Sequence, residues 1–272
     1  MCLTDRNVSD QCKCETGRFA IVSGHFVHAG KEKCLRGTQG TGTIYFSPCN
    51  LKCVFCQNQE TSHEPAGLAF APERLARAMI ELQEQGCHNI HFVTPSHVVP
   101  QIIEAVDIAI SFGLHLPLVY NTSSYDSVES IKLLENIIDI FVADFKFYDT
   151  EQAAKYLYHA DYPDAAMRAI REMHRQVGDL VLNKNGIARK GLIVRHLILP
   201  GMQNSLDPIF HFIATEVSPH TWFHLMDRYF PAGVVDHKSF PEINRRIIRD
   251  EFDAAMKNAK SYGLYRFDLS MQ

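Results

Sequence analysis

The sequence predicts an α/β protein of six βα units, preceded by an irregular leader over residues 1–40. Three observations carry this. From Thr43 onward, short apolar runs alternate with segments of helical spacing, the pattern of parallel strands joined by right-handed crossovers. The runs are nearly continuous in apolar residues, as in strands covered on both faces. No Pro-, Gly- or Ser-rich linker divides residues 41–272, so they are expected to form one domain. Periodicity alone allows either an open doubly wound sheet or a curved partial barrel.

Residues 1–40 lack apolar periodicity, hold Cys2, Cys12, Cys14 and Cys34, and lead into Gly37, Gly40 and Gly42; one short hairpin is the most regular structure expected there. Thr43–Ser47 reads as the first strand. Pro72–Gln85 has Leu75, Met79 and Leu82 on one helical face and is stopped by Gly86. Asn89–Thr94 is the second strand, ended by Pro95, and Val98–Phe112 a helix ended by Gly113. Leu116–Tyr120 is the third strand and Ser127–Leu134 a helix. Ile137–Ala143 is the fourth strand and Pro163–Val177 the next helix. Leu192–Leu199, closed by Pro200-Gly201, is the fifth strand. Pro208–Val217 is a helix, Trp222–Met226 the sixth strand, and Glu242–Tyr262 a final long helix.

The 272 residues are 46% hydrophobic and 21% charged with a formal charge of −4, so no basic excess points to nucleic acid. No apolar run approaches the roughly 20 residues of a membrane span, and Met1–Ala20 lacks an apolar signal-peptide centre, so the chain is expected in the cytoplasm. In a reducing compartment, clustered cysteines among the eight present bind metal or do redox work more often than they form disulfides.

Ser47-Pro48-Cys49-Asn50-Leu51-Lys52-Cys53-Val54-Phe55-Cys56-Gln57-Asn58 is the most informative stretch. Three thiolates in eight residues suit an iron–sulfur cluster or zinc. Three ligands would leave one iron of a [4Fe–4S] cluster open. A closed zinc site would need a fourth donor, for which Cys34 and His63 are candidates. The loop follows the first strand directly, at the carboxyl mouth where βα architectures build their sites.

This stretch resembles the C-x3-C-x-aromatic-C signature of radical S-adenosylmethionine enzymes, with Phe55 at the aromatic position. Gly42-Thr43-Ile44-Tyr45-Phe46-Ser47 running into Cys49-Asn50-Leu51-Lys52-Cys53 is similar to the relatives of the pyruvate formate-lyase activating enzyme, from about residue 30 to the C-terminus. The resemblance implies a partial (βα)6 TIM-like barrel and a [4Fe–4S] cluster on Cys49, Cys53 and Cys56. It also implies reductive cleavage of S-adenosylmethionine to a 5′-deoxyadenosyl radical that abstracts hydrogen from a substrate.

Within that resemblance Asp144-Phe145-Lys146 matches an Asp-x-Lys that engages the cofactor's amino-acid end, against the alternative of a surface salt bridge. Arg195, an arginine inside an apolar strand, matches a position near the cofactor; a barrel-interior ion pair is the alternative. Asn121 and Thr122 end the third strand where polar cofactor contacts are placed, or are ordinary turn residues. Most relatives carry Gly-Gly-Glu after the second strand, whereas Phe92-Val93-Thr94-Pro95-Ser96-His97 holds no acid. Thr94, Ser96 or His97 then supplies the missing acceptor, and Thr-Pro-Ser-His marks a less characterised branch.

His88 and His91 face opposite sides of a strand and are not expected to bind metal together. Cys12 and Cys14 read as free thiols, Cys87 as a buried one, and Asp227-Arg228-Tyr229 as a strand end within reach of substrate. The substrate is expected to be a protein or peptide, as for an activating enzyme, or else a small metabolite under a lid formed by residues 1–40. A non-catalytic zinc module is the reading from another class. A flavodoxin- or ferredoxin-type electron donor is implied by the family. No nucleic acid and no membrane partner is expected.

Overall fold

The computed structural model describes residues 15–202 and 205–268. Its strands are β1 (Ala20–His28), β2 (Thr41–Ser47), β3 (Leu68–Phe70), β4 (Ile90–Val93), β5 (Leu118–Thr122), β6 (Ile140–Asp144), β7 (Val181–Leu182), β8 (Ala188–Leu197) and β9 (Trp222–Met226). Its α-helices are α1 (Lys33–Arg36), α2 (Gln59–Ser62), α3 (Pro72–Glu84), α4 (Val99–Ser111), α5 (Val128–Lys132), α6 (Thr150–Leu157), α7 (Tyr162–Val177), α8 (Asp207–Phe212) and α9 (Arg249–Ser261). The sheet runs β3-β1-β2-β4-β5-β6-β8, with β9 beside β8. Pairing is parallel from β2 through β4, β5, β6 and β8 to β9, and antiparallel where β1 joins β2 and β3. These six parallel strands are the six read from the sequence, and the sheet is an open partial barrel.

Alternation along each strand sorts side chains onto two faces. Ile44, Phe92, Tyr120, Phe141, Val194 and Phe223 face the helices in the main core. Val119, Ile140, Val142 and Ile193 face the concave side, where Cys34 and Leu35 of α1 pack on them. Two residues further on, the same concave face carries Asn121, Asp144 and Arg195. Polar groups therefore replace the apolar filling of the lumen at its carboxyl end.

Three differences from the sequence reading matter. Residues 20–28, placed there in an irregular leader, are a nine-residue strand on the sheet. Its outer face is half-exposed and it shifts register between Val22 and Gly24, so it shows no clean apolar period. The last helix begins at Arg249, not Glu242, because Pro241–Ile243 is a separate 3₁₀ turn and the Glu251 carboxylate accepts the Ile248 N–H at 2.9 Å. The sequence reading also passed over α6, β3 and β7, which are short. Cys2, Cys12 and Cys14 lie outside the described residues. Among the described residues, no helix is long and apolar enough to cross a membrane.

Candidate active site

The cysteine loop leaves β2 at Ser47, whose hydroxyl donates to the Thr61 carbonyl at 2.6 Å and accepts the Ala66 N–H at 2.9 Å. Buried Leu51, Val54 and Phe55 root the loop in the core. Backbone bonds fix both of its ends: Cys49 N–H to the Ser62 carbonyl at 2.8 Å, and Val54 N–H to the Tyr156 carbonyl at 3.0 Å. Phe55 packs edge-on against Phe147 and Tyr229, with centroids 6.1 and 6.2 Å away. Tyr229, a strand-end candidate for substrate contact, is instead buried and donates to the Ile243 carbonyl at 2.9 Å. The loop's other face rests on Gly233, which has φ +66°. A Cβ there would stand 2.3 Å from the Val54 carbonyl oxygen, a backbone atom that cannot yield cheaply. Gly233→Ala is expected to lower cluster iron per chain while leaving the far-ultraviolet circular dichroism of the barrel unchanged; iron content equal to wild type would contradict this.

Cys49 and Cys53 are thiols in the protein alone, because burial pushes Cys49 up to about 11 and Cys53 up to about 12. A coordinating metal reverses this logic and deprotonates a thiol outright. The Cys56 sulfur lies 3.0 Å from the Ser62 hydroxyl, which lies 3.0 Å from His63 Nδ1. His63 therefore has a hydroxyl between it and the sulfur. Cys34, the other candidate for a fourth zinc ligand, is in the apolar lumen packing instead. Among the described residues, no three His, Cys, Asp or Glu side chains gather tightly enough for a single ion. Three thiolates on separate corners of a cluster stand further apart than three ligands on one ion.

Across the mouth lies a buried charge network. Asp144 and Arg195 are opposite one another in the β6–β8 register, and Arg195 is opposite His224 in β8–β9. Arg195 donates to Asp144 at 2.6 Å, to Asn121 Oδ1 at 3.0 Å and to Glu32 at 3.3 Å. Lys146 reaches the other Asp144 oxygen at 3.0 Å, and His224 Nδ1 lies 3.0 Å from Glu32. Burial opposes ionisation of Asp144, but Arg195 and then Lys146 override it and bring it down to about 2. Glu32 is likewise held well below its ordinary value, against burial, by Arg195 and His224. The Asp144–Lys146 pair is partly buried in the cavity wall and is not an exposed surface salt bridge.

Sequence reading missed several parts of this network. Glu32 belongs to a Lys-Glu-Lys run that reads as a solvated turn, yet it crosses the lumen and links to β9, 192 positions later. Tyr162, at the start of α7, is buried; its hydroxyl accepts the Lys146 N–H at 2.9 Å and lies 2.9 and 3.0 Å from the carbonyls of Ser123 and Asp144. It fixes the turn that presents Asp144 and Lys146.

A cavity of about 340 Å³ joins the two halves, within the range of small-molecule sites. Cys53, Phe55, Cys56, Asp144, Lys146 and Arg195 line it, as does Arg228. Asn121 reaches it through Arg195, while Cys49 lies behind in the loop. Thr94 has φ +61° and donates its N–H to the Asn121 carbonyl at 3.1 Å, beside the network but not on the cavity wall. The other candidates for the missing acid are engaged elsewhere. Ser96 lies 3.0 Å from the Thr122 hydroxyl, and Thr122 bonds Asp126 on the helix side of the sheet. His97 is buried with Nε2 3.4 Å from the Ser47 carbonyl, not facing the mouth. A larger cavity of about 760 Å³, beside His88, Trp222 and Cys34, lies at the amino end of the strands, away from the cysteine loop.

An open parallel barrel with a three-cysteine loop after its first parallel strand, facing a buried Asp–Lys–Arg network, defines a class of enzymes that pair a metal cluster with a small charged cofactor. Residues 43–187 match the radical SAM superfamily, and the chain belongs to it. The family's cofactors, a [4Fe–4S] cluster and S-adenosylmethionine, are those of this enzyme. An uncharacterized protein of Methanocaldococcus jannaschii, MJ0674, is 27% identical over 253 residues, covering 90% of this chain and 68% of that protein. Among solved structures, SuiB of Streptococcus suis bound to the precursor peptide SuiA matches with TM-score 0.55 and 13% identity, over 83% of this chain and 47% of that one. The protein anSMEcpe with bound AdoMet matches with TM-score 0.52 and 12% identity, over 79% and 57%. The chain spans about half the length of these two, and at such identities they show a shared fold.

Proposed function

We propose that Cys49, Cys53 and Cys56 hold the [4Fe–4S] cluster and that Asp144, Lys146 and Arg195, with Asn121 behind Arg195 and Thr94 beside it, hold the amino-acid end of S-adenosylmethionine. The observation that carries this is one cavity lined by Cys53 and Cys56 together with the charge network, with Cys49 behind them in the same loop. The donors fit both groups: soft thiols for iron, and a carboxylate beside an ammonium and a guanidinium for a ligand bearing both an amine and a carboxylate. When bound, the cluster and cofactor supply the 5′-deoxyadenosyl radical that abstracts hydrogen from the substrate. Phe55, Phe147 and Tyr229 exclude water behind the loop, and Tyr162 fixes the Asp144–Lys146 turn. Lys146 stays protonated, because Asp144 offsets the cost of its burial.

The substrate on this reading is a protein or peptide segment, from the resemblance to activating-enzyme relatives, and reduction comes from a flavodoxin- or ferredoxin-type donor. A small metabolite is the second reading. It is favoured by residues 30–32, which line the cavity together with the cysteine loop. Anaerobic reconstitution tests the core of the proposal. Iron and sulfide should bind, and dithionite with S-adenosylmethionine should yield 5′-deoxyadenosine. One bound zinc per chain and a featureless visible spectrum would sink it.

A further inference from the structure

The cavity beside the cysteine loop holds more positive charge than its own acids use. Both oxygens of Asp144 are taken, one by Arg195 and the other by Lys146. Glu32 gives one oxygen to Arg195 and His224. Lys31 lines the same cavity, and among the described residues no carboxylate lies within ion-pair distance of it, although Glu32 and Asp144 act on it from further away; its ammonium stands 5.7 Å from the centre of the Tyr45 ring. A partly buried cation with no directly paired anion is unfavourable. His28 lines the cavity next to it. Its Nδ1 accepts the Gly30 N–H at 2.8 Å, so the ring proton sits on Nε2, which is left as a donor. The His28 ring is held by Phe26, which stacks on it and on Tyr45 at 5.8 and 5.5 Å. His91, on the concave face opposite Thr43 and Val119, is fully buried with both ring nitrogens unpartnered.

We propose that Lys31 and His28 form an anion subsite that holds a carboxylate or phosphate group of the substrate in the cavity facing the cysteine loop. This rests on the radical SAM reading of that cavity and adds to it the chemical class of one substrate group. The subsite lies on the β1–β2 side of the lumen, where Lys31 stands over Tyr45, while Asp144 and Arg195 belong to the β6–β8 wall; protection by S-adenosylmethionine tells an anion there from the cofactor's amino-acid end. Burial and then the charge of Arg195 lower Lys31 to about 8; an anion would offset both effects. Burial, and after it the charge of Lys31 itself, keep His91 neutral, so Lys31 and not His91 supplies the cation.

The test uses the full chain with cluster and S-adenosylmethionine loaded. Lysines are acetylated with N-acetoxysuccinimide and quantified by peptide mass spectrometry, with exposed Lys184 as the internal reference. Inorganic phosphate or acetate at about 50 mM is expected to slow Lys31 acetylation about fivefold relative to Lys184, as a dissociation constant of roughly 12 mM gives for one charge-assisted contact. Slowing by phosphate alone assigns a phosphate ester, and slowing by acetate a carboxylate. No slowing by either, in protein that still binds S-adenosylmethionine, overturns the subsite and leaves the cofactor reading standing. Full protection of Lys31 by S-adenosylmethionine before any anion is added also overturns it, because Lys31 would then serve the cofactor. Protein that binds no S-adenosylmethionine fails at the earlier step, which the same preparation reports.

Discussion

Cys53→Ala is expected to drop cluster iron from about four atoms per chain to near none, and 5′-deoxyadenosine formation with it. Cys53 is almost fully buried, and among the described residues its sulfur's hydrogen-bond contact is the Leu51 carbonyl at 3.7 Å, which is no substitute for a thiolate ligand. Cys56 and Cys49 remain in the variant, and two thiolates cannot hold a cluster that needs three protein ligands. Cys87→Ala is the matched control. Cys87 is also buried, just past α3, and packs there as a small apolar side chain. Its loss should cost about 1 kcal/mol of stability and leave the cluster's visible absorbance intact. Iron and sulfide assays with an anaerobic spectrum decide the matter, and equal cluster loss in the two variants would refute the ligand assignment.

What could be read from the sequence, and what could not, divides along a physical line. The six parallel strands were legible because each is buried on both faces, and a run such as Ile140–Asp144 has no other stable place to go. The cysteine loop was legible because three soft ligands in eight residues have few structural uses. Arg195 stood out as a charge inside an apolar strand and Asp144 as the first residue of an Asp-x-Lys just past one, and the β6–β8 register explains why they meet. Glu32 and Lys31 were not legible. Lys31-Glu32-Lys33 has the composition of a solvated turn, and only the return of the chain into the lumen gives Glu32 its partners. β1 was missed because a strand with one half-exposed face and a register shift, flanked on one side only by the three-residue β3, loses its period. His97 was misplaced because a residue just past a strand end can turn to either side, and here the left-handed backbone at Thr94 turns the chain so that His97 lies under Ser47.

Arg195→Met is expected to have the largest effect on stability, and that effect should depend on pH. The substitution removes the cation that holds both Glu32 and Asp144 ionised, and leaves Asp144 paired directly with Lys146 and Glu32 with His224, with Lys31 further off. Breaking a buried ion pair from one side costs about 3–5 kcal/mol. In the intact protein Asp144 falls from 3.8 to about 2. Because the folded value lies below the unfolded one, its contribution to stability is fully present above pH 3.8 and is lost as pH falls through about 2. At about 1.4 kcal/mol per unit, that contribution is roughly 2 kcal/mol. Glu32 is shifted in the same direction and adds to the trend. In the variant both acids lose most of this depression, so they can neutralise at a higher pH without leaving the lumen. Urea unfolding of wild type and Arg195→Met should therefore differ most near pH 7, and the gap should narrow as pH falls toward 3. A difference that stays constant across this range would show that Arg195 acts through packing alone. Binding of S-adenosylmethionine, measured at neutral pH on protein still folded in dilute buffer, should be lost in the same variant, because the guanidinium that orients Asp144 and Asn121 is gone.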